Sequence, residues 1–159
     1  MGVPTTTARI APVGVKIDDG FSTLIAFAAD ADVSLWEKTV KPPGIDGGDA
    51  IETTTMHNTT WRTMAARALK TLTESGLTCA YDPVVIDQIN ALINVEGAIT
   101  VHMPNGDTLD FFGYLKSFEI QDHVEGEQPE AQVVIIPTNV DPSDGSEASP
   151  NYKTAAGTD

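Results

Sequence analysis

The run Leu109–Ile120, LDFFGYLKSFEI, constrains this chain more than any other segment. Read as a strand with a period of two, it puts Leu109, Phe111 and Leu115 on one face and Phe112, Tyr114, Phe118 and Ile120 on the other. A strand apolar on both sides needs cover on both. The sequence just before it supplies one cover. Asp82-Pro83 is a helix-start pair: Asp82 can cap free backbone N–H groups, and Pro83 tolerates the first helical position because its missing N–H would go unpaired anyway. Val85, Ile86, Ile89, Leu92 and Ile93 then recur at three- and four-residue steps. That spacing predicts a helix over 83–94, ended by Asn94 and Gly97. After Ile99–Met103, the turn Pro104-Asn105-Gly106-Asp107 predicts a two-residue hairpin, whose positions favour positive φ. The helix can cover only one face of the long strand. The other face requires a second sheet or another chain.

The rest of the chain supports a mainly β fold with one helix. Met1–Gly20 reads as an extended arm, Phe21–Ala29 as a buried strand and Asp30-Ala31-Asp32 as a turn. Val33–Lys41 reads as a strand with Trp36 and Val40 on one face and Glu37, Thr39 and Lys41 on the other. Pro42, Pro43, Gly44, Ile45, Asp46, Gly47, Gly48 and Asp49 make a projecting loop that cannot be regular structure. Ala50–Met56 is a strand candidate. Trp61, Met64, Ala65, Ala68, Leu69 and Leu72 fall at helical spacing. Leu77–Tyr81 and Ala131–Pro137 read as strands, Glu119–Glu130 as an acidic loop, and 140–159 as a flexible, unpacked tail. At 159 residues, the chain fits one compact domain, spanning 21–139 between the two arms. Its 19 threonines favour strands, where a β-branched side chain fits the pleat.

Charge excludes several functions. Nine Lys+Arg against 23 Asp+Glu give a net charge of −14, which opposes tight binding to nucleic acid or to an anionic membrane. No apolar run reaches the roughly 20 residues that span a bilayer. From Thr71 to Leu115 there are six acidic and no basic residues, and from Ser117 to Tyr152 eight acidic and no basic. Catalytic groups are scarce. His57, His102 and His123 are scattered, none at metal-ligand spacing. Asp30-Ala31-Asp32 opens no calcium loop, because Leu35 and Lys41 stand where Gly and Glu are needed. Cys79 lies in an apolar strand without a basic neighbour, as an inert core thiol does. No phosphate-binding loop or nucleophile elbow is present. The expectation is no enzyme, no catalytic residues, no metal and no cofactor.

The order of features then carries a resemblance. A Thr/Pro-rich arm precedes strands leading to the Pro-Pro-Gly-Ile-Asp-Gly-Gly-Asp loop and Ile51-Glu52-Thr53-Thr54. Trp61-Arg62-Thr63, Ala80-Tyr81-Asp82-Pro83, the Asn105-Gly106-Asp107 turn, Phe112-Gly113-Tyr114-Leu115 and Ile136-Pro137-Thr138-Asn139 follow. Over 20–139 the chain resembles the major tail protein, or tail tube protein, of long-tailed non-contractile bacteriophages. That resemblance implies a β-sandwich or rolled barrel flanked by one helix. Six copies would close into a ring whose inner strands share one β-barrel, and rings would stack into a tube for double-stranded DNA. It implies a virion tail protein assembled in the bacterial host cytoplasm beside other tail proteins, with no membrane and no specific DNA contact. It makes Pro42–Asp49 an inter-ring contact loop, and 61–70 a loop or short turn rather than a full helix. Two other readings stand beside it: a terminator-like or secretion-tube ring protein, and a monomeric β-sandwich that binds a sugar or peptide.

Overall fold

The computed structural model describes residues 23–28, 35–104 and 106–154. The N-terminal arm, the turn at Asp30-Ala31-Asp32, Asn105 and 155–159 lie outside the described residues. A seven-stranded antiparallel sheet dominates, with β1 Leu24–Phe27, β2 Trp36–Lys41, β7 Ser75–Ala80, β8 Gly97–His102, β9 Thr108–Ile120, β10 Glu130–Pro137 and β11 Asn151–Lys153. Its order is β1-β8-β9-β10-β7-β2, with β11 beside β9. Between β2 and β7 run four two-residue strands: β3 Ile45–Asp46, β4 Ile51–Glu52, β5 Met64–Ala65 and β6 Thr71–Leu72.

The sheet curls into a half barrel. β1 and β2 are its outermost strands, yet the Ile25 amide reaches the Glu37 carboxylate at 3.2 Å. The concave side is the core. Leu77, Cys79, Val101, Leu109, Leu115, Val133 and Ile135 alternate inward from four strands with almost no exposure. The rolled-barrel form of the expected fold is the one found, with a single helix. On the opposite face of β9 and β10, Phe112, Tyr114, Val134 and Ile136 stay half-buried.

The helix starts as the sequence requires. Asp82 is extended and its side chain accepts from Val84 N at 3.0 Å, with Pro83 in the first turn. Pro83–Val85 is 3₁₀, however, and α1 proper spans only Ile86–Leu92. Val85, Ile89 and Leu92 seal the concave face. Asn94, at φ 63, then turns the chain, and its amide donates to Leu115 O at 3.0 Å where β8 no longer flanks β9.

Two bulges revise the expected faces. Between Val134 and Ile135 the register slips past Lys116, so that Leu115 pairs with Ile135 and Phe118 with Val133. Phe118 therefore joins the core side rather than the Phe112 and Tyr114 side, since one extra residue reverses the alternation. A second bulge at Lys38 pairs Glu37 with Cys79 and Val40 with Leu77. Val40 packs on the core while Trp36 is left exposed, so these two do not share a face.

Three other expectations are corrected. The β8–β9 turn closes on Met103 and Asp107 with three residues between, Gly106 standing at φ 93. Pro104 suits the second position of a type I turn, which selects this longer loop over the two-residue one. Of the candidate Ala50–Met56, only Ile51–Glu52 is strand. The stretch from 140, expected as an unpacked tail, folds back instead. Ala148 N donates to Asn139 O at 2.8 Å, and Asn151–Lys153 pairs with Thr108–Asp110. That return occupies the flank of β9 below the end of β10 and ties Lys153 Nζ to Asp110 Oδ2 at 2.7 Å.

Candidate assembly surface

Residues 42–73 form one long hairpin arm that leaves the sheet between β2 and β7. Its base is firm: Pro43 and Leu72 are buried, and Ser75 Oγ donates to Lys41 O at 2.7 Å. Gly44 N donates to Thr73 Oγ1 while Thr73 N donates to Gly44 O, both at 2.8 Å. Next, Ile45-Asp46 pairs with Thr71-Leu72 and Ile51-Glu52 with Ala65-Met64. Asp46 Oδ1 accepts from Gly48 N at 2.8 Å, a side-chain turn that bends the strand outward. Gly48 sits at φ 77, and a Cβ there would come within 2.9 Å of Arg67 Cδ. Arg67 Nε donates to Asp49 O at 2.7 Å across the arm.

At the tip, Thr and Asn side chains replace the missing ladder. Thr53 N donates to Thr63 O at 2.9 Å and Thr63 N to Thr54 Oγ1 at 3.0 Å. Asn58 Oδ1 accepts from Thr55 N, and Asn58 Nδ2 donates to Trp61 O, each at 2.9 Å. The Arg62–Glu52 ion pair, 3.6 Å and exposed, adds little.

The eight residues Pro42–Asp49 are thus the first leg of the arm, and Ile45-Asp46 is regular strand after all. The structure unites them with a second leg, 61–72, whose helical spacing is not realised. An amphipathic helix draws its stability from packing its apolar stripe, and here no core lies beneath the stripe. Six of the thirteen exposed large apolar side chains among the described residues lie on this arm: Ile45, Ile51, Met56, Trp61, Met64 and Leu69. Met56 is 102% exposed, Leu69 82% and Trp61 80%. Trp61, Met64 and Leu69 mimic a helix stripe, whereas the loop or short turn that the resemblance implies over 61–70 is nearer to the largely irregular leg found. The signal against a helix was Thr on both sides of the tip, at 53–55, 59, 60 and 63, where β-branched residues favour strands. Beside the arm base, a cleft of about 440 Å³ opens toward Asn139, Ala148 and Tyr152.

The remaining titratable groups stay apart. His57 is at the arm tip, His102 is half-buried on β8, and His123 stands edge-on to Tyr81 with ring centroids 5.5 Å apart. Burial, with a contribution from Glu37, pushes the Cys79 thiol above its usual range, which keeps it protonated and inert. Among the described residues no three His, Cys, Asp or Glu converge as a metal site would. No helix among them is long and apolar enough to cross a membrane.

Among the described residues the bases lie in the main sheet, beside Glu37, Asp110, Glu119 and Glu130, and on the arm, beside Asp46, Asp49 and Glu52. They are Lys38, Lys41, Lys116 and Lys153 in the sheet, and Arg62, Arg67 and Lys70 on the arm. The connecting loops hold Asp82, Glu96, Asp107, Asp122, Glu125, Glu127, Asp141, Asp144 and Glu147, and no basic residue.

No known protein family and no curated protein matches this sequence. Its fold does have counterparts. A chain from the virion of a native gene transfer agent particle superposes with a TM-score of 0.60 at 8% identity, covering 87% of this chain and 100% of that one. A chain from the anti-feeding prophage baseplate, 6-fold symmetrised, gives 0.61 at 6% identity, covering 89% and 97%. A chain from the tail of an empty gene transfer agent particle, refined helically with C6 symmetry, gives 0.58 at 9%, covering 87% and 100%. The fold is therefore one found in tail and virion particles.

Proposed function

We propose that this chain is a structural virion protein: the tail tube protein of a long-tailed, non-contractile phage or a particle derived from one. Six copies close into a ring, rings stack into a tube, and double-stranded DNA passes through without specific binding. The observation that carries the reading is the arm. Six large apolar side chains on it stand exposed, without cover in the chain that makes them, as residues awaiting another chain would. The sheet adds a second need, since open edges are a hazard that closure into a ring removes. The fold relatives support the choice of partner, two of them coming from particles treated with six-fold symmetry.

The arm, including Pro42–Asp49, is then the contact between rings, and the N-terminal arm adds to it. Assembly takes place in the host cytoplasm among other tail proteins, and the product resides in the virion tail. No cofactor, catalysis or membrane enters. The acidic loops supply the lining. Carboxylates facing the lumen repel phosphate over about one Debye length, roughly 8–10 Å at cellular ionic strength, so DNA slides instead of sticking. Sedimentation of the full chain with Trp61→Ser and Leu69→Ser together tests the arm. The folded subunit should persist and no longer assemble; tubes of normal length would refute the assignment. Deleting Gly44–Gly48 should act the same way.

A further inference from the structure

The strand register divides the subunit into two ends. β2 and β7 pair Lys41 with Gly76 at one end and Trp36 with Ala80 at the other, and the arm leaves at the first. Ala80 pairs with Glu130 and Ile120 with Ala131, so the loop 121–129 stands at the second, far end. Tyr81 N donates to Pro129 O at 2.9 Å, which brings the helix start there as well. Trp36, Val84, Ile120 and Val124 are exposed at this far end, as Met56 and Trp61 are at the arm tip. Charge distinguishes the two. Glu119, Asp122, Glu125 and Glu127 are exposed at the far end, and 117–130 holds no Lys or Arg. Lys38 on β2 is taken by Glu130, 2.6 Å away. On the arm, the acids Asp46, Asp49 and Glu52 are confined to the first leg. From Thr53 round the tip to Thr73 the chain carries Arg62, Arg67 and Lys70 and no acid.

We infer that the outer part of the arm, 53–70, seats on the far end of a second copy, with Arg62 and Lys70 facing the carboxylates of Glu119, Asp122, Glu125 and Glu127. The inference rests on the assembly reading above and names the surface that receives the arm. Far end against far end sets carboxylate against carboxylate, which opposes contact. Arm against far end joins opposite charges, and each side brings exposed apolar residues that the other can cover. The Arg62–Glu52 pair does not compete strongly, being exposed and 3.6 Å long. Arg67 stays committed to its own arm, with Nε on Asp49 O. Such a contact uses two different surfaces at opposite ends of one chain, so a copy that receives an arm still offers its own. A stack of rings needs that continuity, whereas a surface that joins only itself would stop at a pair. The loop 121–129 is then taken up between rings, and the loops holding Glu96, Asp107 and 141–147 are left for the lumen.

The test uses the purified full chain in three charge variants beside the wild type. Arg62→Glu with Lys70→Glu reverses the arm, Glu125→Lys with Glu127→Lys reverses the far end, and the third variant carries all four changes. Sedimentation velocity over a concentration series reads the assembly threshold. Either reversal alone should raise it by roughly tenfold or more. The four together should bring it back close to the wild type, because the attraction returns with its signs exchanged. A cysteine pair reads the same contact with every charge in place. Subunits with Thr60→Cys, mixed with subunits carrying Gln128→Cys and treated with a short bismaleimide, should give linked dimers in the assembly. Cys79, buried and protonated, stays out of that reaction. A far-end reversal that assembles like the wild type, four changes no better than two, or an assembly without linked dimers overturns the inference. Each of those outcomes leaves the assembly reading intact, with the arm docked on a ring neighbour or on another tail protein. A wild type that stays a lone subunit at every concentration overturns both.

Discussion

The β8–β9 hairpin and the arm are both antiparallel hairpins, and they end in opposite surroundings. β8 and β9 share six paired positions, and Val101 and Leu109 within them are fully buried. Each ladder of the arm has two pairs, and Met56, Trp61 and Leu69 stand in solvent. The difference lies in what flanks them. β8 and β9 have further strands on either side and a helix over one face, whereas the arm has only its own two legs. A lone two-stranded ribbon is marginal in water, so apolar residues on it are useful only once another chain covers them.

Mutation can break that comparison or sharpen it. The largest contrast is between core and arm. Leu115→Ala should cost about 2–5 kcal/mol in urea unfolding, because it leaves a cavity in the curl. Trp61→Ser should stay within about 0.5 kcal/mol, as exposed sites do. Equal losses would mean that the arm is part of the subunit's own core. Next come two glycines. A Cβ on Gly113 would sit 2.6 Å from Ile136 O, so Gly113→Ala should lose about 1–3 kcal/mol by forcing β9 and β10 apart. Gly47→Ala, on the arm with open space around it, should scarcely change the unfolding midpoint.

A smaller effect belongs to the helix start. Asp82→Ala removes the acceptor for Val84 N and should cost about 1 kcal/mol, read as a lower thermal midpoint. The smallest is electrostatic. Hydrogen bonds from Lys153 and Thr100 hold the Asp110 carboxyl below its ordinary value. A carboxyl with a lowered folded pKa stabilises the fold above its unfolded pKa, about 3.9, and that contribution disappears as pH falls through the lower folded value. Because both partners are partly exposed, the loss should be under about 1 kcal/mol. It should appear in that acid range as faster exchange of the β11 amides, with Asp110→Asn showing the same attachment weakened already at neutral pH.

How far the sequence could be read follows the same division. Helix start, helix stop, the β8–β9 pair and the inward set Leu109, Phe111 and Leu115 were legible, because local periodicity and capping decide them. Phe118 and Val40 were misassigned because a bulge is fixed by the partner strand, and nothing in Lys116 or Lys38 alone announces an extra residue. The second leg of the arm was ambiguous for a different reason: its spacing suits a helix, but no surface exists for that helix to pack on, and the loop or short turn implied by the resemblance is nearer to what is found. The fold-back after residue 140 was hidden by its Ser, Pro, Gly and Asp content, although Tyr152 and Lys153 now line β9. As for the candidate surface, the sequence marked the first leg by its glycines and prolines and left the second, which carries Trp61 and Leu69, unmarked.

The central claim is that sister chains supply the cover this chain lacks, and electron cryo-microscopy of the purified full-length protein tests it most directly. The account predicts closed six-membered rings, stacking into tubes, with residues 42–73 of each subunit packed against a neighbour. A particle that stays a lone subunit at high concentration, its arm free and its sheet edges unjoined, would contradict it.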